Sequence, residues 1–258
     1  MTLHQGDCMD IMPTIPTGSV DLILCDLPYG VTANSWDSVI PLGPLWEQYR
    51  RILTPTGTAV FTATQPFTTG LVSSAMDLFK YACVWEKNRP TLPQHAKNRP
   101  MSRHEDILVF SKGKMGHVQQ LGNSRMTYNP QGCRESGEKV VKAKGMNRTL
   151  TGPRPNQVGR TYISMTGFPD TILRYDKEEK HLHPTQKPVV LMEYLIRTYS
   201  NPGDTVLDNC MGSGTTILAA INTDRTAIGI ELDPAYFAIA KSRIQDAPSV
   251  DFQSLRAA

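Results

Sequence analysis

Short apolar runs alternate with an amphipathic stretch in the first part of the chain. Val20 to Cys25 (VDLILC) and Thr58 to Ala63 (TAVFTA) are rich in branched apolar residues, which is typical of strands buried on both faces of a parallel sheet. Leu45 to Leu53 carries apolar residues at helical spacing, and the breaker Thr54 to Gly57 (TPTG) follows it. The pattern predicts a strand-helix-strand crossover.

The middle of the chain loses this regularity. Tyr81 to Trp85 and Ile107 to Phe110 are apolar runs joined by a polar, basic stretch from Lys87 to Arg103, which predicts an antiparallel pair at one edge of the sheet. From Lys112 to about Lys180 no periodicity remains, and Gly, Asn, Arg and Lys dominate. We expect this segment to be an irregular inserted module.

Regular patterning returns at Pro188, a suitable first residue for a helix. The apolar face of that helix is predicted to consist of Val189, Met192, Leu195, Ile196 and Tyr199. A further strand-helix-strand unit and a closing helix are then predicted at Thr205 to Leu207, Thr216 to Asn222, Ala227 to Ile230 and about Pro234 to Ile244.

Composition excludes several classes of protein. The 258 residues suffice for one catalytic domain with an insertion. The five cysteines are far apart and form no C-x-x-C pair, which argues against a zinc site and a disulfide framework and favours a reducing cytoplasm. The N-terminus lacks a signal pattern and no apolar run is long enough to span a bilayer, so we expect neither secretion nor membrane insertion. The cysteine spacing leads us to expect no metal.

The charge is unevenly distributed. Residues 85 to 160 hold 15 Lys and Arg against 5 Asp and Glu, a balance of +10 within a chain whose net charge is +3. The remaining 12 basic and 19 acidic residues give −7. The asymmetry favours a segment that binds a polyanion. The alternative is a basic loop that only faces solvent.

A nucleotide-type cofactor site is indicated by Val206 to Thr216 (VLDNCMGSGTT). A strand there ends in Asp208, and a turn containing Gly212 and Gly214 opens a helix. The next strand ends in Glu231, where an acidic side chain can accept hydrogen bonds from ribose hydroxyls. The third glycine of the dinucleotide fingerprint is absent, so a ligand without a pyrophosphate is favoured.

The segment Asp26 to Gly30 (DLPYG) directly follows the first buried strand, so it lies at the carboxyl edge of a parallel sheet, where ligand crevices form. A carboxylate beside a rigid proline turn and an aromatic ring suits the capture of a planar amine. Asp26 and a backbone carbonyl can accept the two amino hydrogens while Tyr29 stacks on the ring. The alternative is a structural turn whose tyrosine packs on the core.

These segments resemble motifs of one enzyme family. The DLPY tetrapeptide resembles the D/N/S-P-P-Y/F catalytic motif of amino-methylating DNA methyltransferases, and VLDNCMGSGTT resembles their F-x-G-x-G cofactor motif. His183 to Pro188 (HPTQKP) is similar to the H-P-x-x-K-P segment of the beta class, whose permuted motif order this chain shares. The resemblance covers roughly residues 3 to 112 and 183 to 244.

The resemblance implies an α/β fold of the Rossmann-like S-adenosylmethionine-dependent methyltransferase type. Its mostly parallel seven-stranded sheet would have an antiparallel edge hairpin and a small irregular target-recognition insertion. The implied divisions are a catalytic half at 1–114, the insertion at 115–182 and a cofactor-binding half at 183–258.

Two departures from the family pattern concern the site. Leu27 replaces the first proline of the usual pair, although the family uses that position mainly through its backbone carbonyl. Asn209, Cys210 and Met211 replace the more frequent Pro-Phe, and Cys210 occupies a position where the family often has an aromatic residue that packs on the cofactor.

The resemblance also implies site residues. Those for catalysis are Asp26, Leu27, Pro28 and Tyr29. Those for S-adenosylmethionine are Asp7, Cys8, Asp26, His183, Lys187, Asp208, Asn209, Gly212, Gly214, Thr215, Glu231 and Leu232. Asp7 and Cys8 would end the first short strand and face the adenine, Glu231 would bind the ribose, and Lys187 would contact the cofactor near its carboxylate. The basic segment, by its charge, is expected to neutralise DNA phosphates, and the residues predicted to do so are Lys87, Arg89, Arg99, Arg103, Arg125, Lys142, Lys144 and Arg148.

The implied reaction is methylation of a flipped-out base in double-stranded DNA at an exocyclic amino group. Asp rather than Ser at position 26 favours adenine N6 over cytosine N4. The sequence also leaves open a methyltransferase acting on RNA or a protein amide, an inactive nucleic-acid-binding relative and an NAD-dependent reductase. Formation of a homodimer is open as well.

Overall fold

The computed structural model of the protein describes residues 1–30, 38–91, 93–141, 161–177 and 186–246. Two units are distinguished by their internal contacts. The larger comprises Met1–Asn129 and Thr171–Ala258, and the smaller comprises Pro130–Asp170.

The larger unit is built on one eight-stranded sheet with the order β1-β10-β9-β2-β3-β5-β4-β8. The five strands from β1 to β3 in that order are mutually parallel, β5 is antiparallel to both β3 and β4, and β8 is parallel to β4. The strands are β1 (Thr2–Gln5), β2 (Val20–Cys25), β3 (Leu53–Ala63), β4 (Phe79–Thr91), β5 (Ser102–Ser111), β8 (Ile172–Arg174), β9 (Thr205–Asp208) and β10 (Thr226–Glu231).

The helices of this unit are α1 (Cys8–Ile11), α2 (Leu42–Ile52), α3 (Phe67–Ser74), α4 (Val118–Leu121), α5 (Val189–Tyr199), α6 (Thr215–Asn222) and α7 (Pro234–Gln245). Pro188 caps α5 and is not its first residue. The predicted breaker Thr54 to Gly57 forms an irregularity within β3, because the register shifts between the pairs Val20–Leu53 and Leu22–Thr58.

Alternate residues of the central strands pack into two separate cores. In β2, Ile23 and Cys25 belong to a cluster with α2 and α3, while Leu22 and Leu24 belong to a cluster with α5, α6 and α7. Successive side chains of a strand point to opposite faces, so a strand buried on both sides must be apolar throughout. The helices therefore cover both faces of the sheet.

The predicted fold class, a mostly parallel α/β sheet with an antiparallel hairpin, is confirmed. The sheet has eight strands rather than seven because the three-residue β8 pairs with β4. β8 lies in a segment whose sequence has no periodicity, and its single buried residue, Leu173, is too little signal to predict a strand.

The smaller unit contains one antiparallel pair, β6 (Arg134–Val141) and β7 (Thr161–Thr166). It falls inside the predicted insertion at 115–182. Residues 115–129, which we also assigned to the insertion, belong to the larger unit. Met126 in this stretch is 3% exposed and packs in the core of the larger unit. The role of the insertion in target recognition stays a prediction.

No helix among the described residues is long and apolar enough to cross a membrane. Within the same residues, no group of three His, Cys, Asp or Glu side chains is arranged to hold a metal ion.

Candidate active site and cofactor cavity

A cavity of about 320 Å³ opens at the carboxyl edge of the parallel strands. Its walls include residues 6–9 after β1, 25–29 after β2, 208–213 after β9 and 231–232 after β10. Parallel strands end together at one edge, which is why loops far apart in sequence meet there. The volume falls within the range of pockets that bind small molecules.

Glu231 ties together two loops at one wall of this cavity. Its Oε2 accepts a hydrogen bond from the Gly212 backbone N at 2.8 Å, and its Oε1 accepts one from the Asp233 N at 2.8 Å. Burial raises the pKa of the Glu231 carboxyl above its ordinary value. Each carboxylate oxygen can accept a second hydrogen bond, so the side chain remains able to receive ribose hydroxyls.

The glycines of the cofactor motif have different tasks. Gly212 lines the cavity with φ +50°. Gly214, with φ +78°, is the N-cap of α6 and faces α7, where an added Cβ would lie 3.1 Å from the Ala240 Cβ and 3.2 Å from the Ile244 Cδ1. Close approach of backbone to ligand therefore concerns Gly212, while Gly214 allows the packing of two helices.

Asp208 ends β9 deep in the cavity and is 3% exposed. Its Oδ1 accepts a hydrogen bond from the Cys210 backbone N at 3.1 Å. Burial raises the pKa of this carboxyl to about 7, against hydrogen bonds from Thr216 and Cys210 that act to lower it. Asp208 therefore changes charge near neutral pH.

Asn209 lies beside a group of three thiols and contacts two of them. The Tyr49 hydroxyl donates to the Asn209 Oδ1 at 2.7 Å, and the Asn209 Nδ2 lies 3.6 Å from the Cys8 Sγ and 3.5 Å from the Cys210 Sγ. Burial raises the pKa of the Cys25 thiol, the third member, to about 12. These thiols are protonated wall residues, and Asn209 holds the loop rather than reaching freely into the cavity.

The remaining predicted cofactor residues surround these groups. Asp7 does not end β1 as expected but caps α1, because its Oδ1 accepts from the Met9 N at 2.8 Å. Thr215 accepts from the Arg243 Nη1 at 2.8 Å. Leu232 is 56% exposed at the rim, an apolar surface that a ligand ring would cover. His183 lies outside the described residues.

Asp26 is the most heavily hydrogen-bonded side chain of the predicted catalytic motif. Its Oδ1 accepts from the Tyr29 hydroxyl at 2.5 Å and from the Thr62 hydroxyl, and its Oδ2 accepts from the Lys187 Nζ at 2.6 Å. Charge-assisted bonds of this kind are stronger than neutral ones. Asp26 is thus held in one orientation against the cavity.

The other members of this motif form the floor and the side of the site. Leu27 is 3% exposed and packs in the core beneath. The Tyr29 ring stacks on Phe67 with centroids 5.1 Å apart and planes at 29°. Burial and the charge of Asp26 raise the pKa of the Tyr29 hydroxyl well above its ordinary value, so the hydroxyl remains a donor to Asp26.

Lys187 lies between two carboxylates. Its Nζ is 2.6 Å from the Asp26 Oδ2 and 3.2 Å from the Glu105 Oε2. Burial acts to lower the pKa of Lys187, but the two negative charges outweigh it and raise the pKa above the ordinary value. The structure thus places this ammonium on Asp26, whereas the sequence led us to expect it near the cofactor carboxylate.

Six of the eight predicted DNA-binding residues are either exposed on one hairpin or outside the described residues. Arg89, Arg99 and Arg103 are exposed on the β4–β5 hairpin, which extends past the Asp26 edge because Ala63 at the end of β3 pairs with Asp106 near the start of β5. Lys142, Lys144 and Arg148 lie outside the described residues.

The structure places Lys87 and Arg125 differently from the sequence prediction. Lys87 is 4% exposed, its Nζ lies 2.6 Å from the Glu105 Oε1, and the ammonium sits 5.4 Å from the Trp85 ring centroid. Arg125 forms an isolated backbone β-bridge with Lys114 just beyond the end of β5. This end of β5 lies at the edge of the sheet opposite Asp26. Neither residue is therefore presented beside the exposed arginines of the hairpin.

Several site residues were missed by sequence reasoning. Thr62 and Glu105 reach the Asp26 network from β3 and β5, and Gln186 and Thr216 line the cavity. Gln186 lies inside the HPTQKP segment, which was the available signal. No sequence signal marks Thr62 or Glu105 as a site residue, because only the pairing register of the strands brings them to this edge.

The sheet order, the cavity at the strand ends and the acidic residue that ends β10 define a Rossmann-like methyltransferase fold. The family model N6_N4_Mtase, described as DNA methylase, matches residues 20–242. The chain therefore belongs to this DNA methylase family, and the predicted family is confirmed.

Relatives match over most of their length. The DNA adenine methyltransferase YhdJ of Escherichia coli (strain K12) is 29% identical over 272 residues, covering 98% of this chain and 86% of that protein. The type II methyltransferase M1.MboII of Moraxella bovis is 30% identical over 251 residues, covering 91% and 92%.

Solved structures share the fold. The M1.HpyAVI–SAM complex superposes with a TM-score of 0.60 at 26% identity, covering 94% of this chain and 98% of that one. The cytosine-N4-specific PvuII DNA methyltransferase gives 0.66 at 16% identity, covering 98% and 89%. At that low identity the second likeness concerns the fold alone.

Proposed function

We propose that this protein transfers a methyl group from S-adenosylmethionine to N6 of a flipped-out adenine in double-stranded DNA. The observation that carries the proposal is the Asp26 carboxylate, fixed by three donors at the wall of the cofactor cavity. Asp at this position and the name of the Escherichia coli relative support adenine as the target.

The cavity residues fit the cofactor. Asp208 offers a carboxylate for the methionine end, Glu231 offers acceptors for ribose hydroxyls, and Leu232 offers an apolar surface for adenine. Together with the open backbone at Gly212, they supply the acceptors and the apolar cover that this ligand requires. When bound, S-adenosylmethionine supplies an electrophilic methyl group on its sulfonium.

Asp26 orients the amine that receives this methyl group. A carboxylate has about four lone-pair positions, and donors among the described residues occupy three, two on Oδ1 and one on Oδ2. The fourth, on Oδ2, accepts one amino hydrogen, and the Leu27 carbonyl accepts the other. Both bonds strengthen as the nitrogen becomes positive, which stabilises the transition state.

Lys187 keeps Asp26 an acceptor. The ammonium 2.6 Å from Oδ2 pairs with the carboxylate and occupies one of its lone pairs. The proton of the methylated nitrogen passes to solvent after transfer. The Tyr29 ring lies beside Asp26 and stacks on the extruded base, replacing part of the stacking lost from the duplex.

The test is product analysis combined with substitution of Asp26. DNA methylated with labelled cofactor should yield N6-methyladenine on digestion. Asp26→Ala should lower turnover by about 100-fold or more, as loss of a transition-state hydrogen bond does, while cofactor affinity stays within about twofold.

The control is Asp77→Ala, since Asp77 is an exposed carboxylate paired with Arg50; this variant should keep wild-type turnover. A product consisting only of N4-methylcytosine would replace adenine by cytosine as the target. Wild-type turnover in Asp26→Ala would refute the mechanism.

A further inference from the structure

Four charged side chains form a continuous row that ends at the catalytic aspartate. The Lys87 Nζ lies 2.6 Å from the Glu105 Oε1, the Glu105 Oε2 lies 3.2 Å from the Lys187 Nζ, and that Nζ lies 2.6 Å from the Asp26 Oδ2. We call this set the charge row. Two cations and two anions alternate in it, so its formal charge is zero.

The charge row is largely shielded from solvent. The side chains are 5% exposed at Lys87, 12% at Glu105, 8% at Lys187 and 24% at Asp26. Removing ions from water carries a large free-energy cost, and apolar residues of similar volume often stabilise a fold as well or better. Stability alone is therefore a weak reason for three charges behind Asp26.

Neighbouring strands supply the far half of the row. Glu105 on β5 pairs with Trp85 on β4, and Lys87 lies two residues beyond Trp85, on the same face of that strand. The two lysines outweigh the burial of Glu105 and lower the pKa of its carboxyl. Glu105 is thus ionised, and a lysine ammonium lies beside each of its two oxygens.

We propose that Glu105 and Lys87 are positioning residues for methyl transfer: Glu105 holds the Lys187 ammonium against the Asp26 Oδ2, and Lys87 neutralises and orients Glu105. The inference rests on the proposed function, because its purpose is to direct the remaining acceptor position of Asp26 at the target amine. Neither residue touches substrate, so both act through Lys187.

The direction of the Lys187 ammonium is what Glu105 contributes. An ammonium on a flexible four-carbon stem can point its three donors in many directions. A second carboxylate, whose Oε2 lies 3.2 Å from the Nζ, restricts this freedom by charge attraction. A misdirected reacting group lowers the rate of transfer far more than it weakens binding.

The first experiment compares Glu105→Gln with the charge-balanced pair Lys87→Met/Glu105→Gln. Glu105→Gln should lower kcat at least about tenfold, while KM for DNA and the cofactor Kd stay within about twofold. The double variant leaves the neutral Lys187–Asp26 pair and should regain the Tm but not kcat. Glu105→Asp, which keeps the charge, should restore part of kcat.

Recovery of kcat together with Tm in the double variant would reduce the charge row to a structural role and overturn the inference. Wild-type kcat in Glu105→Gln would overturn it as well. Neither outcome touches the proposed function, which depends on the wild-type protein methylating adenine in DNA.

A second measurement does not depend on activity. In protein labelled with ¹⁵N at lysine Nζ, the two shielded ammonium groups should give NMR signals that exchange slowly with water, and Glu105→Gln should abolish both. Lack of such signals in the wild-type protein would contradict the charge row even if the enzyme is active. Their presence in a protein that methylates no DNA would refute only the proposed function.

Discussion

At the scale of the residue, the site combines carboxylates in opposite environments. Asp26 is surrounded by donors and lies beside a lysine, while Asp208 is buried and its pKa is raised to about 7. The two carboxylates are the same kind of group, and their environments suit them to the two proposed roles, a fixed acceptor for Asp26 and a titrating cofactor contact for Asp208.

Cofactor affinity should therefore depend on pH through Asp208. Its raised pKa means that the free protein holds a proton there below about pH 7. If Asp208 binds the cofactor's ammonium group as its ionised carboxylate, as the proposed function requires, that proton must leave on binding. We expect the Kd to rise as pH falls from 7.5 to 5.5, by at most about tenfold per pH unit.

Isothermal titration calorimetry in buffers of different ionisation enthalpy measures both the affinity and the released proton. Asp208→Asn, which cannot titrate, should bind more weakly at pH 7.5 and lose most of the pH dependence. A Kd of the wild-type protein that is constant over this range would remove Asp208 from the cofactor contacts.

At the scale of the element, the turn between β9 and α6 is held from two sides. Glu231 at the end of β10 binds the Gly212 backbone, and Gly214 lets α6 approach α7. The cofactor loop is consequently shaped by contacts with its neighbours, and its glycines serve packing as much as ligand access.

Gly214→Ala should destabilise the fold. A side chain at φ +78° costs about 1 to 2 kcal/mol, and the added Cβ would press on Ala240 and Ile244. We expect a loss of about 1 to 3 kcal/mol in the free energy of unfolding, measured by urea denaturation.

The control is Gly70→Ala in α3, where an added Cβ meets nothing within 4 Å. A helix-interior alanine there should instead add about 0.5 to 1 kcal/mol. Equal stability of Gly214→Ala and wild type would show that the α6–α7 contact tolerates a methyl group.

At the scale of the whole molecule, exposed arginines lie on a hairpin beside the Asp26 edge of the sheet. The β4–β5 hairpin extends past that edge and presents Arg89, Arg99 and Arg103, each of them exposed. The proposed function requires a duplex to approach the same edge, so we expect these arginines to neutralise phosphates.

Replacing these three arginines by glutamine should flatten the dependence of DNA affinity on salt. Each lost phosphate contact lowers the slope of log K against log salt by about 0.9. The control is Lys114→Gln/Arg125→Gln at the opposite edge, which should leave the slope unchanged. The reverse result would place the DNA on the other edge of the sheet.

The sequence by itself determined the elements whose pattern is local. The apolar run Val20–Cys25 matches β2 residue for residue, and DLPY, HPTQKP and the glycine turn identified the family and the cavity loops. Burial on both faces of a strand and the φ values of a turn restrict the residues allowed there, so such features can be read without the fold.

Tertiary structure alone decided which distant side chains meet. The charge along the chain had predicted that Lys87 binds DNA. Pairing of β4 with β5 instead buries Lys87 against Glu105. The same edge joined Lys187 to Asp26, 161 positions away. Long-range pairing register and burial determine how a charge is used, and neither is encoded in the local pattern of residues.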